Sequence, residues 1–313
     1  MTEPGAAMSF SQGLARCACC PRRCRVNRLE EKTGFCGIGG GIRVSHIGLH
    51  FGEEPPISGK NGSGTVFFAG CNLRCLFCQN FQISQEFQDV WTWIMTVDDL
   101  ADALLRLQDE GAHNVNFVSP SHMILQMADA IVAARSRGFS LPVVYNSGGY
   151  DSVEALRAVR GLVDIYLPDL KYLDNELGQR FSSVADYANV APEVLREMFD
   201  QVGLLEEDDD GIAQRGLLVR HLVLPGFLDN SRACLRFLAG LSSEISVSLM
   251  SQYAPRHRAV GHPELGRPLA CKEYEAMVAY AMDLGLENAF IQELDSQGHY
   301  VPDFEREEPF GES

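Results

Sequence analysis

Short apolar runs alternate with longer amphipathic runs along most of this chain. Most of the apolar runs are continuous and rich in β-branched residues, which is typical of strands buried on both faces of a parallel sheet. They lie at residues 65–70, 114–120, 142–147, 163–171, 217–226, 245–253 and 288–293. Because parallel strands need crossover connections, the alternation predicts an α/β fold with helices in the intervening segments.

Helical patterns fill most of those segments. Thr96 and Asp99 have the spacing of a capping box and predict a helix that begins there and ends at Gly111. Residues 172–215 interrupt the rhythm, and we interpret the acidic run at 206–211 within them as a solvated loop. Further helices are predicted at residues 121–138, 152–160, 192–201, 231–241 and 272–284.

The residues at the strand ends help to choose between a doubly wound open sheet and a βα barrel. Barrel enzymes assemble their active sites from side chains at the carboxyl ends of several strands, and we therefore favour a partial (β/α)6 barrel of the TIM type. We expect a cysteine-rich N-terminal arm at 1–60, the barrel at 61–300 and a C-terminal tail at 301–313. The residues at or just past different strand ends are Cys71, Ser119, Asn146, Asp169, Pro225 and Gln252.

Charge and hydropathy exclude several classes of function. A net charge of −16 and a pI near 4.9 argue against a broad nucleic-acid interface, which needs clustered basic residues. No run approaches the ~20 apolar residues of a membrane span, and the N-terminus lacks the apolar core of a secretory signal, so we expect a cytoplasmic protein. Residues 1–36 differ from the rest, with six basic and three acidic side chains.

The loop GCNLRCLFCQN at residues 70–80 places Cys71, Cys75 and Cys78 directly after the first predicted strand. A zinc site needs four protein ligands, or three and a water molecule. Three thiolates can also bind three irons of a 4Fe-4S cluster and leave the fourth iron open to another ligand. With no histidine close by in sequence, the cluster is favoured over zinc.

This loop resembles the signature of the radical S-adenosylmethionine superfamily, and most of all the branch of the glycyl-radical-enzyme activating enzymes. The similarity extends to the PflX-like subgroup of pyruvate formate-lyase activating enzyme-related proteins. The stretches that carry it are CPRRCRVNR (20–28), HFGEEPPISG (50–59), DIYLPDLKY (164–172), RHLVLPG (220–226) and SLMSQY (248–253).

The resemblance implies a 4Fe-4S cluster on Cys71, Cys75 and Cys78 whose open iron binds the amino and carboxylate groups of S-adenosylmethionine. Reduction by one electron then cleaves the sulfonium and yields a 5′-deoxyadenosyl radical, which abstracts a hydrogen atom. The cofactor supplies this chemistry, and the protein orients the reacting carbon and excludes water. A low-potential electron donor of the flavodoxin or ferredoxin type is implied as a partner.

The resemblance also suggests which residues contact the cofactor. Residues 118–122 stand where the superfamily usually has a Gly-Gly-Glu motif that contacts the methionyl amino group, and this sequence has no glutamate there. The expected cofactor or substrate contacts are Phe77 beside the adenine, Ser119, Ser121 or His122 in place of the missing glutamate, Asn146 and Ser147 at the third strand, and Asp169, Lys171 and Gln252.

A second group of cysteines lies in the N-terminal arm, where Cys17, Cys20, Cys24 and Cys36 form a set of four and Cys19 is spare. Such dense thiols in a reducing compartment indicate one metal site. Zinc and an auxiliary 4Fe-4S cluster are both compatible with the spacing.

Two functions from different classes therefore remain. The first is a radical S-adenosylmethionine enzyme that activates a glycyl radical protein, or that modifies another peptide or a small molecule. The second is a non-catalytic iron–sulfur or zinc protein. We expect residues 172–215 to leave the barrel mouth open in an activase, which must admit a protein loop.

Overall fold

The structure, a computed structural model, describes residues 10–293, 302–306 and 308–310. In that part of the chain, one sheet of ten strands has the order β10-β9-β8-β6-β5-β4-β2-β1-β3, with β7 paired only to β8. The strands are β1 (Ile42–His50), β2 (Ser63–Phe68), β3 (Trp93–Met95), β4 (Val115–Val118), β5 (Val143–Ser147), β6 (Ile165–Pro168), β7 (Glu206–Glu207), β8 (Ala213–Leu222), β9 (Ser246–Met250) and β10 (Ala289–Ile291).

The neighbouring pairs from β2 through β4, β5, β6, β8 and β9 to β10 are all parallel. Strands β3 and β10 lie at opposite ends of the order, so the sheet described here is open. The prediction of an α/β partial barrel is confirmed, and every predicted strand is present. All residues of β2, β4, β5, β6 and β9 are buried, as expected for strands covered on both faces.

Helices cover the outside of the sheet. Those of the described residues are α1 (Pro55–Ser58), α2 (Phe81–Ser84), α3 (Val97–Asp109), α4 (Ile124–Arg135), α5 (Val153–Ala158), α6 (Asn175–Ser182), α7 (Tyr187–Val202), α8 (Leu228–Leu241) and α9 (Cys271–Asp283). None of them is long and apolar enough to cross a membrane.

Strands β1 and β3 extend the sheet by antiparallel pairing and were not predicted. Strand β1 lies within residues 1–60, which were assigned to the arm, so the sheet begins earlier than expected. Its residues IRVSHIGLH mix buried and half-buried positions, as expected near a sheet edge. A search for continuous apolar runs misses such a strand.

The segment 172–215 is more ordered than its sequence suggested. It contains α6 and α7, and α7 begins at Tyr187 rather than near Pro192, which lies inside the helix. Proline is commonest in the first helical turn, but here burial of one face of α7 outweighs the backbone hydrogen bond lost at Pro192. The acidic residues 206–210 are exposed as expected, although β7 pairs the first two with β8.

The described part of the predicted C-terminal tail packs onto the sheet. The rings of Phe304 and Phe310 lie 5.5 and 5.4 Å from the ring of Phe67 in β2, measured between centroids. Phe304 is buried with Ile83 and Val118 in a small apolar cluster. This segment therefore covers the barrel near the end of β4.

The predicted capping box at the start of α3 is confirmed. The Thr96 side chain accepts a hydrogen bond from the Asp99 backbone N–H at 3.1 Å, and the Asp99 carboxylate accepts one from the Thr96 backbone N–H at 2.9 Å. Each bond satisfies a backbone donor that the first helical turn leaves without an intrahelical partner.

Replacing the cap residue should measure its contribution. We expect Thr96→Ala to lower the free energy of unfolding by about 1 kcal/mol in chemical denaturation, because one backbone donor loses its acceptor. Thr96→Ser, which keeps the hydroxyl, is the matched control and should remain near the unsubstituted protein. Equal stability of Thr96→Ala and Thr96→Ser would contradict the cap.

Candidate active site

The three-cysteine loop begins at a backbone position that requires glycine. Gly70 has φ +77°, and a Cβ atom placed there would lie 2.6 Å from the carbonyl oxygen of Cys36. A side chain at this point would therefore be strained and would collide with the arm. The constraint fixes the direction in which the chain leaves β2 and enters the loop with Cys71, Cys75 and Cys78.

Hydrogen bonds surround the three thiols. The Leu73 backbone N–H donates to Cys71 Sγ at 3.4 Å. Cys75 Sγ lies 3.0 Å from Ser182 Oγ, and Cys78 Sγ lies 3.3 Å from Ser84 Oγ. Donors placed around sulfur stabilise a thiolate and tune the potential of a metal bound to it.

Burial opposes ionisation of Cys71 and Cys78 when no metal is bound. It raises the pKa of Cys71 to about 12 and the pKa of Cys78 to about 11. A bound metal ion reverses this tendency, because its charge deprotonates a coordinating thiol. The loop is thus suited to thiolate ligation, and it provides three such ligands on one side of a cavity.

That cavity has a volume of about 730 Å³ and lies at the carboxyl edge of the parallel strands. It is large enough for a cofactor of nucleoside size. The structure brings most of the predicted contact residues together in its wall, with the three cysteines: Phe77, Ser119, Ser121, Asn146, Asp169, Lys171 and Gln252.

Two predicted contact residues lie elsewhere. Asn146 lines the cavity, but Ser147 donates to the buried carboxylate of Asp151 at 2.7 Å, since neighbouring strand residues face opposite sides. His122 Nε2 lies 2.8 Å from the Ala69 carbonyl oxygen, and His122 lines the arm cavity instead. The short 3-10 turn Pro120–His122 causes this divergence, because it directs Ser121 and His122 to different sides.

An ion pair lies in the cavity wall beside the three-cysteine loop. Lys171 Nζ donates to Asp169 Oδ2 at 2.5 Å. Burial alone would lower the pKa of Lys171, but Asp169 and the neighbouring thiols Cys75 and Cys78 outweigh it and the pKa is raised. Lys171 is therefore a permanent positive charge near the cysteines, and it can attract an anionic group.

The sequence reasoning missed a second charged group in the wall, made of Glu53, Glu54 and Arg220. Arg220 Nε donates to Glu54 Oε1 at 2.8 Å, and its Nη2 pairs with both carboxylates. Asn116 Nδ2 donates to Glu53 Oε1 at 3.0 Å. Burial would raise the pKa of Glu54, but Arg220 outweighs it and the pKa is lowered, so the Glu54 carboxylate and the Arg220 guanidinium both stay charged. The stretches HFGEEPPISG and RHLVLPG contain these residues, but nothing in their spacing links them.

The arm cysteines surround a smaller cavity of about 10 Å³. Cys17, Cys20, Cys24 and Cys36, the set expected to bind a metal, line it together, and so does Cys19, whose Sγ lies 3.8 Å from Cys17 Sγ. Burial raises the pKa of Cys20 to about 12. No three Cys, His, Asp or Glu side chains of residues 10–293, 302–306 and 308–310 converge as ligands of a single metal ion.

Comparison with known proteins places this geometry in a family. Residues 65–204 match the model of the radical SAM superfamily, and they include all three loop cysteines. Uncharacterized protein MJ0674 of Methanocaldococcus jannaschii is 32% identical over 278 residues, which are 87% of this chain and 75% of that protein. The chain belongs to the radical S-adenosylmethionine superfamily.

Solved structures of this superfamily share the fold. Methylornithine synthase PylB superposes with a TM-score of 0.50 and 13% identity, over 73% of this chain and 63% of that one. Streptococcus suis SuiB bound to S-adenosylmethionine also gives 0.50, with 13% identity over 72% of this chain. The chain spans about half the length of SuiB, at 48%. At these identities the likeness concerns the fold alone.

The superfamily implies a 4Fe-4S cluster and S-adenosylmethionine, and the cavity fits both. Three thiols provide three ligands and leave one cluster iron open. The glycine pair after Ser147 lets protein segments pack closely at the cavity wall, because a Cβ on Gly148 would lie 2.7 Å from Leu73 and one on Gly149 would meet the Asp169 carbonyl oxygen at 2.1 Å.

Removing the Arg220 guanidinium should measure how much the Glu53–Glu54–Arg220 group contributes to the free energy of unfolding. We expect Arg220→Met to lower the free energy of unfolding by about 3 kcal/mol or more, because two buried carboxylates lose their partner. Since the pKa of Glu54 is lowered in the folded state, this contribution should be complete above its usual pKa and fade at lower pH.

The matched control is the combination of Glu53→Gln and Glu54→Gln with Arg220→Met, which removes the unpaired charges and should recover part of the loss in thermal denaturation. A cost of Arg220→Met below about 1 kcal/mol at neutral pH would mean that the carboxylates find other partners.

Proposed function

We propose that this protein reductively cleaves S-adenosylmethionine and uses the resulting 5′-deoxyadenosyl radical to abstract a hydrogen atom from a substrate. The observation that carries the proposal is that three thiols, a lysine–aspartate pair and a ring of polar strand ends line one cavity. When bound, the cluster and S-adenosylmethionine supply the radical chemistry, and the protein supplies binding and orientation.

Each part of the wall has a role in this proposal. Cys71, Cys75 and Cys78 bind the cluster. Lys171, oriented by Asp169, attracts the carboxylate of the methionyl group.

The polar and aromatic contacts complete the site. Ser119 and Ser121 take the place of the usual glutamate at the methionyl amino group, and Asn146 binds the carboxylate or the ribose. Phe77 packs beside the adenine against Tyr253, whose ring centroid lies 5.7 Å away. Gln252 completes the cofactor or substrate contacts.

For the substrate, we propose a glycine of a protein partner, as in an activase. The support is that no residue of 172–215 is among those that line the cavity in the described part of the chain. These residues pack behind the three-cysteine loop instead, where the Arg74 backbone N–H donates to the Ser182 carbonyl oxygen at 3.0 Å. Another peptide or a small molecule is the alternative substrate.

The proposal includes two further components. Cys17, Cys20, Cys24 and Cys36 bind one additional metal centre, either zinc or an iron–sulfur cluster. A low-potential electron donor of the flavodoxin or ferredoxin type reduces the enzyme, as expected for a cytoplasmic protein. The density of buried thiols in the arm supports the first component, and the net charge of residues 1–36 supports the second.

Anaerobic reconstitution tests the function directly. With dithionite and S-adenosylmethionine, we expect the reconstituted protein to form 5′-deoxyadenosine and methionine, and we expect Cys75→Ala to abolish both products because one cluster ligand is lost. Chromatography of the products measures this. Cys271→Ser, at an exposed cysteine of α9, is the matched control and should remain active.

The same measurement separates the enzyme from a non-catalytic metal protein. A fully loaded cluster that gives no 5′-deoxyadenosine would contradict the enzyme and favour an electron carrier or scaffold. Transfer of deuterium from a labelled peptide glycine to 5′-deoxyadenosine would identify the activase, and transfer from a small molecule would favour the alternative.

A further inference from the structure

The arm contains a buried cation without a carboxylate partner. Arg28 is 0% exposed, and none of the carboxylates in the described residues pairs with it. Its Nη1 lies 4.0 Å from both Cys17 Sγ and Cys19 Sγ and donates to the carbonyl oxygen of His122, and its Nε donates to that of Gly39. A buried charge is costly unless an opposite charge compensates it. Metal-bound thiolates would supply that negative charge, and the Arg28 guanidinium lies beside the sulfur atoms of Cys17 and Cys19.

The arm cavity and the active-site cavity share a wall. Asn72, which follows the ligand Cys71, lines both of them. Arg22, two residues after Cys20, donates to the Asn72 carbonyl oxygen at 3.0 Å. The carbonyl group of Cys36 packs against Gly70, just before Cys71. Arg22 and Cys36 of the arm thus contact Asn72 and Gly70, the residues on either side of Cys71.

The opposite side of the arm cavity is open to solvent. Cys24 is exposed, whereas Cys17, Cys19, Cys20 and Cys36 are buried. Arg23 and Arg25, its sequence neighbours, are also exposed; Arg23 Nη2 pairs with Glu154 Oε1 at 2.8 Å, whereas no carboxylate of the described residues forms an ion pair with Arg25. Cys24 therefore reaches the surface beside the cation Arg25, which we call the docking patch, in a protein whose net charge is −16. A negatively charged partner would be attracted to this patch and repelled by most of the remaining surface.

We propose that the arm holds a second, redox-active iron–sulfur cluster on Cys17, Cys20, Cys24 and Cys36, which receives electrons at Cys24 from an acidic one-electron carrier and passes them to the centre at Cys71, Cys75 and Cys78. One electron leaves the reduced carrier, which is oxidised, and passes through the arm cluster to reduce the centre at Cys71, Cys75 and Cys78 by one electron. No bond is made or broken and no proton moves. Arg28 compensates the charge of the arm centre. The inference rests on the proposed function.

The metal is tested first. In Cys75→Ala the centre of the three-cysteine loop is lost, so we expect iron and sulfide to remain in the arm and to give an electron paramagnetic resonance signal on reduction. Adding Cys36→Ser to this variant should remove the remaining iron, whereas adding Cys19→Ser should not. Zinc in the arm of Cys75→Ala, or iron that cannot be reduced, would overturn the proposal.

The electron route is tested with two reductants. Cleavage of S-adenosylmethionine is measured once with reduced flavodoxin and once with dithionite, which is small enough to enter the active-site cavity. We expect Cys24→Ser to lower the ratio of the flavodoxin-driven to the dithionite-driven rate by about tenfold or more. Cys271→Ser is the matched control and should leave the ratio unchanged. An unchanged ratio in Cys24→Ser would overturn the relay.

The docking patch is tested by charge reversal. Arg25→Glu should raise the flavodoxin concentration needed for half-maximal cleavage, and the effect should shrink at high salt because exposed charges are screened. Arg106→Glu reverses an exposed arginine on α3 and controls for the change in net charge. Equal effects of both substitutions would overturn docking at the arm.

Absence of dithionite-driven cleavage in the unsubstituted protein would instead contradict the proposed function. Failure of the relay and failure of the proposed function can therefore be distinguished.

Discussion

The parallel pairing of the strands from β2 to β10 is the constraint on which the rest of the structure depends. It places the carboxyl ends of the strands at one edge of the sheet, so that residues far apart in sequence line one cavity. The three-cysteine loop follows the first of these strands, and the Asp169–Lys171 pair follows the fourth. The thiols and the cation line one cavity because the ends of β2 and β6 lie at the same edge of the sheet, with β4 and β5 between them. Their positions therefore follow from the sheet and not from nearby sequence.

The parts of this arrangement that sequence could predict are those with a local cause. The apolar strands, the Thr96 cap and the three-cysteine loop are each specified by neighbouring residues, and all are present. Ser119, Asn146 and Gln252 could be placed at the cavity because strand ends share an edge. The side to which Ser121 and His122 point depends on a short 3-10 turn, and the periodicity of the sequence carries no information about it.

The Glu53–Glu54–Arg220 group shows a second limit of sequence reasoning. Arg220 is 166 residues away from Glu54, and only the fold makes them partners. Strand β1 illustrates the same limit for the sheet, because its half-buried pattern gains meaning only from its antiparallel partner β2. Long-range ion pairs and antiparallel strands added beside a parallel sheet are determined by topology, and a single sequence does not reveal topology beyond its general class.

The described C-terminal residues form a part of the cavity wall that contains none of the proposed cluster or cofactor ligands. Pro302 and Phe310 line the same cavity as the cysteines, and the ring of Phe310 lies 4.3 Å from that of His50. These residues belong to neither the thiol set nor the strand ends. The width of the cavity can therefore change through them while the cluster and cofactor contacts stay in place. A substitution at Pro302 or Phe310 would thus alter the shape of the cavity without removing a thiol or a polar strand end from its wall.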